Sequence, residues 1–210
     1  MSLQLHERVD EAVVIAEFLR AEIDSPRFGP RVRARLEADG RDARVLTHPD
    51  TASAADNAYR RDVLHGYRGT GGSAPLLEGL PEHIDWHRAS LGRDELDALR
   101  YIDYPYWNEL SEGTRSPVVA ARRIHAGVQA QGRSNDGFKA LADRICAGTD
   151  TGLPIAIATD PGAPLIVLEG HTRVTAMALR PDCLPARIPL LAGFADGVCD
   201  WMYYGQLGAP

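Results

Sequence analysis

Apolar residues recur at helical spacing through much of the first 133 positions. Val9, Ala12, Val13, Ala16, Leu19 and Ile23 fall three and four apart, which predicts an amphipathic helix over Glu7 to Ile23, ended by Asp24-Ser25-Pro26. Further helices are predicted from Arg31 to Ala38, closed by Gly40, and from Ala52 to Tyr67. Between Gly66 and Ser73 the chain is glycine-rich, but it lacks both a preceding strand and the Gly-x-Gly-x-x-Gly spacing of a phosphate cradle. A connecting loop is the better reading. Arg93 to Leu99 predicts a helix capped near Gly92. Ser116-Pro117 opens another through Ala126, with serine at the N-cap and proline at the first helical position.

The pattern changes near position 134. Asn135-Asp136 is a cap for a helix over Gly137 to Ala147 that turns Phe138, Leu141, Ala142 and Ile145 inward, and Gly148 ends it. Short apolar runs at Leu153 to Thr159, Leu165 to Leu168 and Ile188 to Leu191 read as buried strands. After the second run, Glu169-Gly170-His171-Thr172-Arg173 gathers acidic, basic and hydroxyl groups. Val174, Met177 and Ala178 then resume helical spacing until Pro181. This is a strand, a tight turn and a helix, with Gly170 suited to positive φ and Thr172 to capping. Such a turn directs backbone N–H groups and a helix dipole to one point, and Arg173 adds a forked cation, so it is a candidate anion site. The alternative is a plain turn in which Glu169 pairs with Arg173 at i,i+4 and His171 is a satisfied turn histidine.

Composition narrows the chemistry. At 210 residues and 44% hydrophobic, the chain can bury a core of one domain with a helical extension. A net charge of -6 argues against a protein whose main task is wrapping nucleic acid, so no direct nucleic-acid partner is expected. No apolar run is long enough to span a bilayer, and the N-terminal residues lack the basic-then-apolar order of a signal peptide. The expectation is a cytoplasmic protein with no membrane partner. Cys146, Cys183 and Cys199 are odd in number and show no paired spacing, so free thiols are expected and a structural metal is not. Lys139 is the only lysine, which removes a Gly-x4-Gly-Lys phosphate loop; a bound phosphate would be neutralised by arginine, backbone N–H groups or a metal ion.

The residues Leu153 to Thr159, Pro164 to Leu179 and Leu184 to Leu191, with the helix before them, resemble the ParB/sulfiredoxin-like domain, whose Gly-x-x-Arg turn between a strand and a helix holds nucleotide phosphates. The resemblance covers about residues 134–192. It implies an α/β (α+β) fold, a mixed small sheet with helices over 134–210 that ends in an aromatic tail, preceded by a mainly helical region, 1–133, that contributes to the cleft. Sulfiredoxins carry a cysteine where this chain has His171, so sulfinic-acid reduction is not available at the motif. ParB proteins proper carry a helix-turn-helix downstream, for which about thirty residues leave no room. The Gly170-His171-Thr172-Arg173 spelling is most similar to members that phosphorylate free serine with a nucleotide.

Two further stretches carry candidate chemistry. His83 and His87, four apart, would share one helix face and could bind a metal, although surface histidines are the commoner case. Tyr101 to Pro117 gathers Tyr101, Tyr104, Tyr106 and Trp107, then Asn108, Glu109 and a second Gly-Thr-Arg turn at Arg115. Aromatic bulk beside polar groups is how small-ligand pockets are lined, which makes Tyr104, Trp107, Asn108 and Arg115 candidate substrate contacts; otherwise the aromatics are core and Glu109 and Arg115 a surface pair.

The expected function is a small-molecule enzyme binding phosphate at Gly170, His171, Thr172 and Arg173, with Glu169, His171 and Glu109 as candidate catalytic groups. The resemblance implies a nucleotide-dependent phosphotransferase, using ADP or ATP with Mg2+, acting on a small hydroxylated or amino-acid-like substrate. Two alternatives stand beside it: an isomerase, epimerase or hydrolase in which His171 and Glu169 transfer protons, and a non-catalytic nucleotide-responsive module. A homodimer is compatible with each.

Overall fold

The computed structural model describes residues 3–72 and 75–205 and is a mixed α/β protein. Two units pack separately: Val9–Gly79, and Met1–Arg8 together with Leu80–Pro210. The chain begins with strand β1 (Gln4–Arg8), then enters the first unit. Glu7 and Arg8 therefore lie in a strand rather than at the start of a helix. Cross-strand pairing outweighs local periodicity here: Glu7 pairs with Arg88 at 2.9 Å and Arg8 with Asp85 at 2.6 Å.

The unit 9–79 is helical, with α1 (Glu11–Glu22), α2 (Gly29–Ala38), the short α3 (Arg44–Thr47) and α4 (Ala54–Arg68). Ser53 caps α4 by accepting from the Asp56 N–H at 3.3 Å. Phe18, Leu19, Leu46, Val63 and Leu64 are buried. So is Arg60, which donates to the Val45 carbonyl at 3.0 Å and the Asp50 carbonyl at 2.8 Å and thereby ties the α3 region to α4. Arg68 pairs with Glu22 and lies 3.8 Å over the Phe28 ring. Gly66 to Arg68 thus form the last turn of α4 instead of a loop, and Ser73 lies outside the described residues.

The second unit continues with β2 (Asp85–Gly92), β3 (Leu99–Arg100), α5 (Pro105–Leu110), α6 (Pro117–His125), α7 (Asp136–Cys146), β4 (Ile155–Ala158), β5 (Leu165–Glu169), α8 (His171–Leu179) and β6 (Arg187–Phe194). With β1 the strands form one sheet in the order β1-β2-β6-β4-β5-β3. The β1/β2, β2/β6 and β4/β5 pairs are antiparallel, and β4/β6 and β3/β5 parallel. Strands from before position 134 thus complete the sheet whose centre the sequence placed after it. The central strands β4 and β5 are buried on both faces, which explains their unbroken apolar runs. Pro189 falls where β6 is paired to β2 but extends beyond β4, so its missing N–H interrupts no ladder on that side. Gly193 is required by its neighbour across the pair: a Cβ there would meet the Trp86 ring at 2.6 Å.

Three expectations are corrected. His83 and His87 share no helix face, because β2 pairs over its whole length with β6 and the His87 ring is held 3.0 Å from Asp85 in the same strand. Asn135 does not cap α7 with its side chain; its Nδ2 donates instead to the Val128 carbonyl at 2.7 Å. Cys146 and Cys183 form a disulfide, while Cys199 is an exposed thiol. The pairing was not readable from spacing because 37 residues separate the two cysteines. Packing of α7 against α8 brings them together.

The disulfide closes a loop containing β4, β5 and α8. For 37 residues the loss of unfolded-state entropy is worth about 4 kcal/mol. Cys183→Ser, or wild type under reductant, is expected to lose stability of about that size in urea denaturation. Equal midpoints with and without reductant would show that the bond contributes nothing.

Candidate functional site

The turn between β5 and α8 has the predicted form. Gly170 adopts φ 94°, ψ 22°, and α8 starts at the next residue. A Cβ at Gly170 would lie 2.6 Å from Arg173 Nη1 and 3.3 Å from Pro154 Cα, so glycine is needed for clearance as well as for positive φ. Thr172 does not cap: Gly170 occupies the N-cap position, Thr172 is exposed in the first turn, and no side chain caps α8.

Arg173 is buried beneath the turn. Its Nη1 donates to the Leu153 carbonyl at 2.9 Å and to Glu169 Oε2 at 3.1 Å. The i,i+4 pairing of Glu169 with Arg173 is therefore present, with both side chains largely out of solvent. Arg173 braces the turn from the inside, Thr172 is exposed, and His171 is half-buried.

His171 meets the aromatic stretch. Its ring stacks on Trp107 with centroids 5.2 Å apart and planes at 15°. Tyr101 stacks on the same indole at 4.6 Å, and Tyr101 and His171 are themselves 6.1 Å apart. Rings on opposite faces of the indole would be separated by about 7 Å, twice the ~3.5 Å contact distance between carbons, so Tyr101 and His171 lie side by side on one face. Tyr106 meets Trp107 edge-on at 4.9 Å and Phe138 approaches at a tilt at 6.2 Å. Trp107 is half-buried and is the hub on which α5, α7 and α8 converge.

The Tyr101 hydroxyl locks this arrangement. It lies 2.6 Å from Thr175 Oγ1, which donates to the His171 carbonyl at 2.7 Å. Thr175 has one proton to give, so Tyr101 is the donor of the pair. Burial pushes the Tyr101 phenol far above its ordinary value, with Thr175 opposing, which keeps that proton in place. Neither Tyr101 nor Thr175 was a site candidate in the sequence. The signal was present in part, since Thr175 follows His171 by four residues on the same helix face.

The other candidates divide. Glu109 is exposed and accepts the Gln131 N–H at 2.9 Å, supporting a turn in which Gln131 has φ 49°. Tyr104 is exposed, three residues before Trp107. Asn108 and Arg115 gather with Asp103 rather than with His171: Asn108 Nδ2 donates to Asp103 Oδ1 at 2.7 Å, and Arg115 donates to the Tyr204 carbonyl. Arg115 is therefore not the surface partner of Glu109. Among the described residues, no group of three or more His, Cys, Asp or Glu side chains gathers as a metal site. No described helix is long and apolar enough to cross a membrane.

Comparison with known proteins returned no matching family model, no similar curated protein and no similar solved structure.

Two outcomes test the bracing roles. Arg173→Ala removes a donor from the Leu153 carbonyl and leaves the largely buried Glu169 without its cation, and is expected to destabilise by about 3 kcal/mol in urea denaturation. Thr175→Val leaves the Tyr101 hydroxyl buried without its acceptor and should cost about 1–3 kcal/mol. The double variant with Tyr101→Phe should lose clearly less than the two single losses combined, because both partners are then apolar. Additive losses in that cycle would break the proposed coupling.

Proposed function

We propose that the Glu169–Arg173 turn binds a phosphate-bearing ligand, that the domain is of the ParB/sulfiredoxin-like kind, and that the protein is a nucleotide-dependent phosphotransferase acting on a small hydroxylated or amino-acid-like substrate. The observation that carries this reading is the start of α8. It has no side-chain cap, follows a glycine held at positive φ, and lies beside the half-buried Trp107–His171 stack. Backbone N–H groups at such a helix start supply the donors a phosphate needs, and the dipole favours its charge. Arg173 contributes by holding the turn rigid from below, and its own charge is shared with Glu169.

The nucleotide would bring Mg2+ with it. The nearby carboxylates do not form a ready cage for the ion, since Glu169 is committed to Arg173 and Glu109 to the Gln131 N–H. In this reading the chain supplies position and charge at the phosphate, with His171 placed to hold or move a proton beside it. The same commitment of both carboxylates favours a second reading, an isomerase or hydrolase in which His171 alone carries proton transfer. A cytoplasmic location is part of the proposal, but the Cys146–Cys183 bond fits it only where that bond is formed and broken in use.

Thr172→Glu tests the phosphate turn without touching the core. Thr172 is exposed in the first turn of α8, where an acidic side chain complements the dipole, so folding stability should hold or rise by up to about 1 kcal/mol. Wild type with ATP or ADP and Mg2+ at about 100 times the dissociation constant should gain roughly 2.7 kcal/mol in thermal denaturation, and the variant should gain none. An equal ligand shift in the variant would remove the turn from the binding site. No shift in wild type with any nucleotide would leave the proton-transfer reading.

A further inference from the structure

Arg115 is 4% exposed, yet its guanidinium is only partly engaged. Nη1 donates to the Tyr204 carbonyl, while Nη2 is buried and has no hydrogen-bond partner among the described residues. Among the described residues no carboxylate forms an ion pair with it. Burial pulls its pKa below the ordinary arginine value, Asp103 opposes that shift and Arg100 adds to it. A buried cation hydrogen-bonded to one carbonyl is unfavourable unless an anion completes it.

A second unsatisfied atom lies in the same cluster. Asn108 donates from Nδ2 to Asp103 Oδ1, and its own Oδ1 is buried with no donor among the described residues. Arg115 Nη1 and Asp103 Oδ2 both crowd the point where a Cβ on Gly205 would sit, so they face each other across that glycine. The roof is the strap Tyr203–Gly205, tied down where the Tyr203 carbonyl accepts from the Asp103 N–H at 2.8 Å. From below, the Arg115 carbonyl accepts from the Tyr101 N–H at 2.8 Å. The cluster therefore offers an unfilled cationic donor and an unfilled neutral acceptor, with one carboxylate beside them.

We propose that Arg115, Asp103 and Asn108 form a receptor for a small monocarboxylate that carries a hydrogen-bond donor next to its carboxylate. The carboxylate meets Arg115 Nη2, and the adjacent hydroxyl or ammonium meets Asn108 Oδ1 and Asp103. The charge of Asp103 selects a monoanion over a doubly charged phosphate, which separates this site chemically from the turn at residues 169–173. The proposal stands independently of the nucleotide reading.

Calorimetric titration of the full chain with glycolate, glycine, acetate and inorganic phosphate is the test. Glycolate or glycine should bind saturably, acetate more weakly for want of the donor, and phosphate not at all. Arg115→Gln should weaken binding by about thirtyfold or more, and Asn108→Leu should bring glycolate down to the affinity of acetate. Because Arg115→Gln also loses the Tyr204 contact, a parallel NMR titration of wild type should shift the Arg115 guanidinium resonance with glycolate. Thr172→Glu should leave all of this unchanged. The proposal is overturned by absence of saturable carboxylate binding, by an unmoved Arg115 resonance, by binding that survives Arg115→Gln in folded protein, or by a preference for phosphate.

Discussion

A buried guanidinium under a glycine turn is the constraint on which the sheet unit's candidate site depends. Arg173 enters the interior only because Glu169 shares its charge and the Leu153 carbonyl takes a further hydrogen bond. The room it occupies exists because Gly170 has no Cβ. Removing Arg173 or Glu169 leaves the other charge buried without its counterion, which costs more than the original ion pair contributes. The Gly-x-x-Arg spelling is thus a packing unit before it is anything else. It fixes the end of β5 and the start of α8, and so decides where His171 and Thr172 point.

The aromatic layer depends on that turn in its own way. Tyr101 and His171 share one face of Trp107, and the Tyr101–Thr175–His171 carbonyl chain ties the layer to the helix backbone. The segment 101–107 and α8, far apart in sequence, are therefore held together, because a buried phenol shut off from water has Thr175 as its acceptor. The Cys146–Cys183 bond adds a covalent tie between the end of α7 and the segment after α8. The helices on either side of Trp107 are fixed at one end by side-chain packing and at the other by sulfur.

Much of this was legible in the residues. The strand-turn-helix at 165–179, the positive φ of Gly170, the Ser116-Pro117 helix start and the inward face of α7 follow from periodicity and local stereochemistry. The Glu169–Arg173 pair was legible as one of two alternatives, and the structure has it. The convergence of Trp107 with His171 was not legible, because residues 64 positions apart meet only through the packing of α5 against α8. The segments at Glu7-Arg8 and Asp85–Gly92 were misread for a related reason. Their strand character comes from partners in β2 and β6, not from their own apolar spacing.

The sequence by itself determined the α/β class, the helical character of most of the first eighty residues, the buried central strands and the glycine turn between Glu169 and His171. Those features rest on interactions within a few residues, which composition and spacing report directly. Tertiary structure decided which strands complete the sheet, which cysteines join, that Arg173 faces inward, and that Asn108 and Arg115 belong with Asp103 instead of with His171. Each of those depends on groups distant along the chain satisfying one another's charge or hydrogen-bonding needs once water has been excluded.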